Sequence, residues 1–412
     1  MSSAPNPVAA HPATLEDYAA VVGRQEIEEL RVYADRLGRR RVKMVNSAAV
    51  GGGVAEILNR QVPLLEELGV PTRWEVITGG DEFFAVTKAF HNALHGAPFE
   101  GRPEWFEGFL ATNEQNRGRM AFDEDFIVIH DPQPIALVNA RGDSRGRWIW
   151  RCHIDLSHPN PEVWSFLQPY VERYEAALFS SPAFTHGLPI PQYLFFPTID
   201  PLAEKNRELE PETVREVLER FSLDPKRPIV TQVSRFDRLK DPVGVIQAYR
   251  TVRKYDDCQL VLAGGGAADD PEGEAVLREV MHAAADDPDI HILSLPPWSH
   301  LEINALQRAS TIVVQKSLRE GFGLTVSEAL WKKKPVVASA VGGIPSQVIH
   351  KLTGMLVHSV EGCAYQIRYL LSNPAFAREL GENGYEHVKE NFLITSKLKR
   401  YLLLFLLLQE NG

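Results

Sequence analysis

Two glutamates, Glu320 and Glu328, carry the clearest chemical signal in the chain. They bracket Gly321-Phe322-Gly323-Leu324-Thr325-Val326-Ser327, with an apolar run before them at 311–315 and a helical pattern, TVSEALWKKK, after. Glycines here permit a tight turn and let the backbone approach a ligand closely. The amides that open the following helix, around Leu324 and Thr325, lack partners within the helix and suit phosphate oxygens. Glu328 falls one turn further in. Carboxylates on either side of an anion site accept hydrogen bonds from hydroxyl groups. The pattern therefore fits a ligand of hydroxyls, then phosphates, then hydroxyls, which is a nucleotide-sugar. The same spacing also describes a capping turn beside a surface glutamate, and both readings stand at this level.

A second group, Ser234-Arg235-Phe236-Asp237-Arg238-Leu239-Lys240, follows the strand-like run that starts at Pro228. At a strand's carboxyl end Ser234, Arg235 and Lys240 would face a diphosphate, since arginine offers a planar fork and lysine a compact charge. A solvated charged loop has the same composition. Gly51–Gly53 follows another strand-like run but does not fit G-x-G-x-x-G, so it is no dinucleotide fingerprint. Asp123-Glu124-Asp125 resembles a metal-binding D-x-D but reads better as an acidic turn before a strand. His130-Asp131 and His153 with Asp155 fall at strand ends, as cleft groups or as satisfied loop and core residues. The histidines show no H-x-x-x-H with a third ligand, so no metal site is expected.

Short apolar runs alternate with helical stretches along the chain. They fall at 43–50, 73–78, 126–130 and 147–154, and the pattern restarts at 228–236, 258–266, 290–295, 311–315, 335–339 and 354–357. Such alternation predicts βαβ units and parallel sheets. The proline-dense stretch 188–206 separates the halves. The expected fold class is α/β, with two Rossmann-like doubly wound domains facing a cleft. The first spans 1–203 and the second 204–392, with a terminal helix at about 393–412 able to return to the first. Residues 1–15 are expected to be disordered and 16–40 to form one amphipathic helix. Leu402–Leu408 is too short to span a bilayer and reads as a buried helix.

The chain has 412 residues with 44% hydrophobic and 24% charged, which excludes disordered and collagen-like chains. With 44 Lys+Arg against 54 Asp+Glu, the net charge of −10 argues against nucleic acid as a partner. Three cysteines without a C-x-x-C, and a start that lacks a basic region followed by an apolar run, point to a cytoplasmic protein rather than a disulfide scaffold. No membrane partner is expected.

The motifs together resemble a known family. Glu320-x7-Glu328 with Ser234-Arg235-Phe236-x-x-x-Lys240 is similar to retaining family 4 glycosyltransferases of the GT-B fold. The stretches VNS…GGGVAEIL (45–58), HNAL (91–94), HDPQP (130–134), W-RCHIDLS (150–157), PTIDPLAEKN (197–206) and 319–344 resemble the trehalose glycosyltransferring synthases among them. That resemblance implies glucose transfer from a nucleoside-diphosphate-glucose, the co-substrate, to free glucose. It implies that Arg235 and Lys240 neutralise the departing diphosphate, Glu328 binds ribose and Glu320 contacts the transferred glucose. Gly52 and Gly53 would let the backbone approach the donor, and His153 matches the family histidine near the reacting sugar. No cofactor is obligatory in this reading, Mg2+ is at most stimulatory, and a homodimer is the candidate assembly. A sucrose- or glycogen-type acceptor is the alternative, and a sugar-binding protein without turnover is the reading from another class. One departure stands out: the tryptophan-and-glycine step expected beside the phosphate lysine is replaced by Arg238-Leu239-Lys240-Asp241.

Overall fold

The computed structural model describes residues 13–49, 53–265 and 271–410. Two six-stranded parallel sheets carry the chain. The first comprises β1 (Val42–Asn46), β2 (Thr72–Val76), β3 (Phe126–His130), β4 (Arg147–Arg151), β5 (Ala176–Phe179) and β6 (Gln192–Leu194), in the order β2-β1-β3-β4-β5-β6. The second comprises β7 (Ile229–Val233), β8 (Gln259–Gly264), β9 (Ile290–Ser294), β10 (Ile312–Gln315), β11 (Val336–Ser339) and β12 (Met355–Val357), in the order β12-β11-β10-β7-β8-β9. Helices cover both faces, so the central strands are buried throughout and largely apolar, with Lys43, Thr231 and Gln232 enclosed among them.

The strand orders locate the ligand before any side chain is considered. In the first sheet the winding reverses between β1 and β3, and in the second between β7 and β10. Crossovers leave these neighbours in opposite directions, which opens a crevice at their carboxyl ends. The residues at those ends are Asn46 and His130 in one sheet, and Ser234 and Gln315 in the other.

Three expectations need correction. Residues 16–40 form two helices, Leu15–Val22 and Arg24–Leu37, because Gly23 adopts φ +93° and its N–H closes the first helix on Ala19 O at 2.9 Å. The ordered chain reaches back into the segment expected to be disordered: Thr14 and Asp17 make a capping box and Leu15 is buried, while 1–12 lie outside the described residues. β5 gives no sequence signal at all. Glu172–Leu178 consists largely of good helix formers directly after the helix Pro161–Val171, and pairing with β4 (Ile149 opposite Ala176) overrides that propensity.

The chain passes between the halves twice, side by side. Ile199 N donates to Phe392 O at 2.8 Å, and Ile394 N donates to Ile199 O at 3.0 Å. From there the helix Ile394–Glu410 packs on the first sheet, with Leu398, Tyr401, Leu402 and Phe405 in one core with Leu37, Val42 and Phe126. Phe405 stacks on Phe126 at 4.6 Å between ring centroids. Among the described residues no helix is long and apolar enough to cross a membrane. Phe405→Ala is expected to lower stability by about 3–5 kcal/mol, as for other buried aromatics. Calorimetry should show an earlier transition, whereas Tyr365→Ala, on a side chain 66% exposed in the second half, should leave the transitions in place.

Candidate active site

The two reversal points face one cavity of about 630 Å³. On the second sheet's side, the loop after β7 turns through Arg238–Lys240, capped by Asp237 Oδ1, which accepts from Leu239 N at 2.7 Å. Lys240 Nζ then donates to Glu320 Oε2 at 2.6 Å. Ser317 Oγ (3.2 Å) and Gln315 Nε2 (3.4 Å) approach the same oxygen. Asp241, in the stretch that replaces the expected tryptophan-and-glycine step, holds φ +48°, and its carboxylate explains how. It accepts from Gly244 N at 3.1 Å to cap the next helix and pairs with Lys316, so the side chain compensates for a backbone conformation that otherwise favours glycine.

Glu320 is also held from behind. Gly342 has φ +54°, and a Cβ there would lie 1.5 Å from Glu320 O, so only glycine fits. Gly323, at φ +82°, caps the helix Leu324–Trp331, whose opening residues Leu324 and Thr325 line the cavity. Thr325 Oγ1 donates to Gln315 Oε1 at 3.1 Å. One turn on, Glu328 is buried and pairs with Lys205 at 3.3 Å. Glu328 holds the Lys205 ammonium above its usual range despite burial. Arg235 lies at the cavity edge, 61% exposed, with Nη2 3.2 Å from Asp237.

The first sheet's side is different in character. Asn46, His91, His130, Asp131 and His153 line it, and no lysine or arginine of that sheet's half does so among the described residues. His130 Nδ1 and His153 Nε2 lie 3.1 Å apart, so one ring donates and the other accepts. Burial holds both rings uncharged, and the nearby Arg151 guanidinium adds to the shift. Burial likewise lowers His91 to about 4, with His95, Lys88 and Arg235 adding to the shift. Asp131, at φ +65°, accepts from His153 N at 2.7 Å. Its burial outweighs that bond and the Arg151 charge and raises its carboxyl to about 6.

The sequence-derived residues Arg235, Lys240, Glu320, His153, Ser234, Leu324, Thr325 and Glu328 thus converge on one cavity. Gly53 opens the helix Gly53–Glu67, whose Val54 and Ala55 line the same space, and Gly52 lies outside the described residues. The D-x-D at Asp123 and Asp125 is at the amino end of β3, away from the cavity, paired with Arg41 and Arg40. Sequence reasoning assigned no role to Asn46, His91, Gln315 or Lys205. Gln315 carried a usable signal, a polar residue ending an apolar strand, whereas Lys205 in the linker carried none.

Two open α/β halves with a cation-bearing cleft between their carboxyl ends define a glycosyltransferase of the GT-B class. An α,α-trehalose 6-phosphate synthase from Burkholderia multivorans shares the fold, with a TM-score of 0.68 at 17% identity over 90% of this chain and 99% of that one. Residues 44–186 match the family model "Trehalose synthase, N-terminal domain", and 214–387 match "Glycosyl transferases group 1". The chain is 44% identical to a trehalose synthase of Thermococcus litoralis, over 94% of this chain and 95% of the relative. It is 43% identical to one of Rubrobacter xylanophilus, over 95% and 96%. The chain belongs to the trehalose synthase family and is an enzyme, a glycosyltransferase of trehalose metabolism.

Asp131 yields a pH prediction. In the folded chain its carboxyl keeps a proton up to about pH 6, and in the unfolded chain it loses it near 3.8. Between these values the folded state holds the extra proton, so stability falls as pH rises through that window. Asp131→Asn preserves shape and tolerates the left-handed backbone. The variant is expected to match the native chain near pH 4 and to exceed it by on the order of 3 kcal/mol above pH 6. Urea unfolding across pH 4–7 checks this, and a constant difference across the window would refute it.

Proposed function

We propose that the enzyme transfers glucose, with retention of configuration, from a nucleoside-diphosphate-glucose (ADP-, UDP- or GDP-glucose) to free glucose. The products are α,α-trehalose and the nucleoside diphosphate. The observation that carries this reading is the division of charge across the cleft. Arg235 and Lys240 stand on the second sheet's side, while the wall on the first sheet's side is built from uncharged histidines, Asn46 and Asp131. A diphosphate belongs on the former. The latter offers no cation to a sugar phosphate, so a neutral sugar is the favoured acceptor.

On this reading Arg235, Lys240 and the amides of Leu324 and Thr325 meet the charge that grows as the C1–oxygen bond to the diphosphate breaks. Preorganised donors of this kind are commonly the largest catalytic contribution. Ser234 and the helix start at Gly53 border the phosphates, and Glu328 takes the ribose hydroxyls. Glu320 holds the hydroxyls of the transferred glucose, and its pairing with Lys240 suits a binder rather than a nucleophile. The acceptor hydroxyl attacks C1 from the leaving-group side, the new C1–O bond forms, and its proton passes to a phosphate oxygen. His153 stands beside the reacting sugar. Divalent metal is not obligatory in this scheme, since side-chain cations and a helix end already meet the diphosphate, and Mg2+ is at most stimulatory. The three buried free thiols suit a reducing cytoplasm.

A donor panel of ADP-, UDP- and GDP-glucose, set against glucose, glucose 6-phosphate, fructose 6-phosphate and an oligosaccharide, tests the reaction. Trehalose from free glucose is expected. A product only from a phosphorylated or polymeric acceptor would move the enzyme to the sucrose or glycogen type, and glucose 1-phosphate from trehalose plus inorganic phosphate would remove the nucleotide altogether. Lys240→Ala is expected to lower kcat/KM at least tenfold, the equivalent of about 1.5–3 kcal/mol for a contact to a charged group. Normal turnover in that variant would exclude Lys240 from the donor site.

A further inference from the structure

Arg319 immediately precedes Glu320, and its guanidinium reaches across the mouth of the cleft. Its Nη1 donates to the backbone oxygen of His95 at 2.6 Å. His95 caps the carboxyl end of the helix Asp81–Leu94, where unpaired carbonyls carry partial negative charge and favour a cation. The last turn of that helix also carries His91, which lines the cavity and packs against His95 with ring centroids 4.5 Å apart. The next residue, Gly96, has φ +87°. A Cβ there would lie 2.9 Å from His158 O and 3.1 Å from Arg319 Nη1, so the loop is shaped to admit the guanidinium. Two residues beyond Arg319 the lips close again, since a Cβ on Gly321 would sit 3.9 Å from His153 O.

One side chain thus joins the turn holding Glu320 to the helix end that forms part of the acceptor wall. The two sides of the site lie on separate sheets connected by two neighbouring strands of chain, and relative motion is the default for such domains. Reaction requires the faces to meet and water to be kept out while they do. We infer that Arg319 is a positioning residue that latches the cleft over the bound sugars and thereby sets how much of the glucosyl group reaches the acceptor rather than water. This rests on the transfer reaction proposed above. Arg319 is exposed at the rim, apart from the cations that line the cavity, so its loss should spare donor binding. Its planar fork suits a fixed bond to a carbonyl, which a lysine would replace only in part.

The test compares the native enzyme with R319A, R319K and G96A. It uses donor turnover with and without glucose, calorimetric binding of the nucleoside diphosphate, and Tm. R319A is expected to retain nucleoside diphosphate affinity and Tm, to raise the acceptor KM, and to increase the ratio of hydrolysed to transferred donor. Both changes should be roughly five- to tenfold, less than a buried charge-assisted bond would give because Arg319 is exposed to solvent. R319K should recover part of the partition. G96A, which disturbs the same contact from the opposite lip, should shift the partition in the same direction. An R319A enzyme with native partition and acceptor KM would overturn the latch. So would a lowered Tm with a uniform loss of rate and an unchanged partition, which is the signature of a merely structural role. Failure of the native enzyme to transfer to any sugar would instead overturn the reaction itself.

Discussion

The ion pair between Lys240 and Glu320 is the interaction around which the site is arranged. It spans the reversal point of the second sheet, joining the loop after β7 to the loop after β10. Glu320 is only 9% exposed, and a carboxylate so buried needs a partner. The supporting bonds follow from that need. Gln315 and Ser317 crowd the same oxygen, Asp241 with Lys316 fastens the lysine's loop, and Gly342 brings a neighbouring turn against the Glu320 carbonyl. Arg319 gains its position from the same turn.

A second constraint is the separation of charge. On the proposed reaction a diphosphate needs cations, and those same cations would draw other anions if they also faced the acceptor. The chain keeps them on one side of the cleft. Arg151 and Lys397 are buried near His130 and His153, and burial pushes the Lys397 ammonium well below its usual range. Burial first, and the Arg151 charge after it, keeps the histidines uncharged, as neutral donors and acceptors.

The crossing between the halves is wired to the same site. Lys205 reaches Glu328, and the six positions from Asp200 to Asn206 are enough to change partners from one half to the other. Asp200 accepts from Tyr18 at 2.9 Å and pairs with Arg60, whereas Asn206 Oδ1 accepts from Lys332 at 3.1 Å. Lys332 also donates to Gln307 and to the Glu328 carbonyl, and burial lowers it to about 7. Glu328, the carboxylate proposed to bind ribose, therefore sits within hydrogen-bonding reach of the segment about which the halves would move.

The residue order by itself determined the α/β class, the central strands and the two loops that meet at the second sheet's reversal point. It could do so because strands buried on both faces are predominantly apolar runs, and because a backbone that approaches phosphate needs glycine and cations at short, local spacings. It also marked Leu402–Leu408 as core, which holds for Leu402, Leu404, Phe405 and Leu408, whereas Leu403 and Leu407 are exposed on the helix's outer face. Tertiary structure alone decided the rest. β5 became a strand because β4 offered it a pairing edge, although its residues favour a helix. Gly23 became a break because its backbone leaves the helical region at φ +93° while its N–H closes the first helix. His130 and His153, Lys205 and Glu328, and Arg319 and His95 are partners separated by 23, 123 and 224 positions. The meaning of a polar side chain is set by what stands opposite it, and only the folded chain brings those groups within hydrogen-bonding distance.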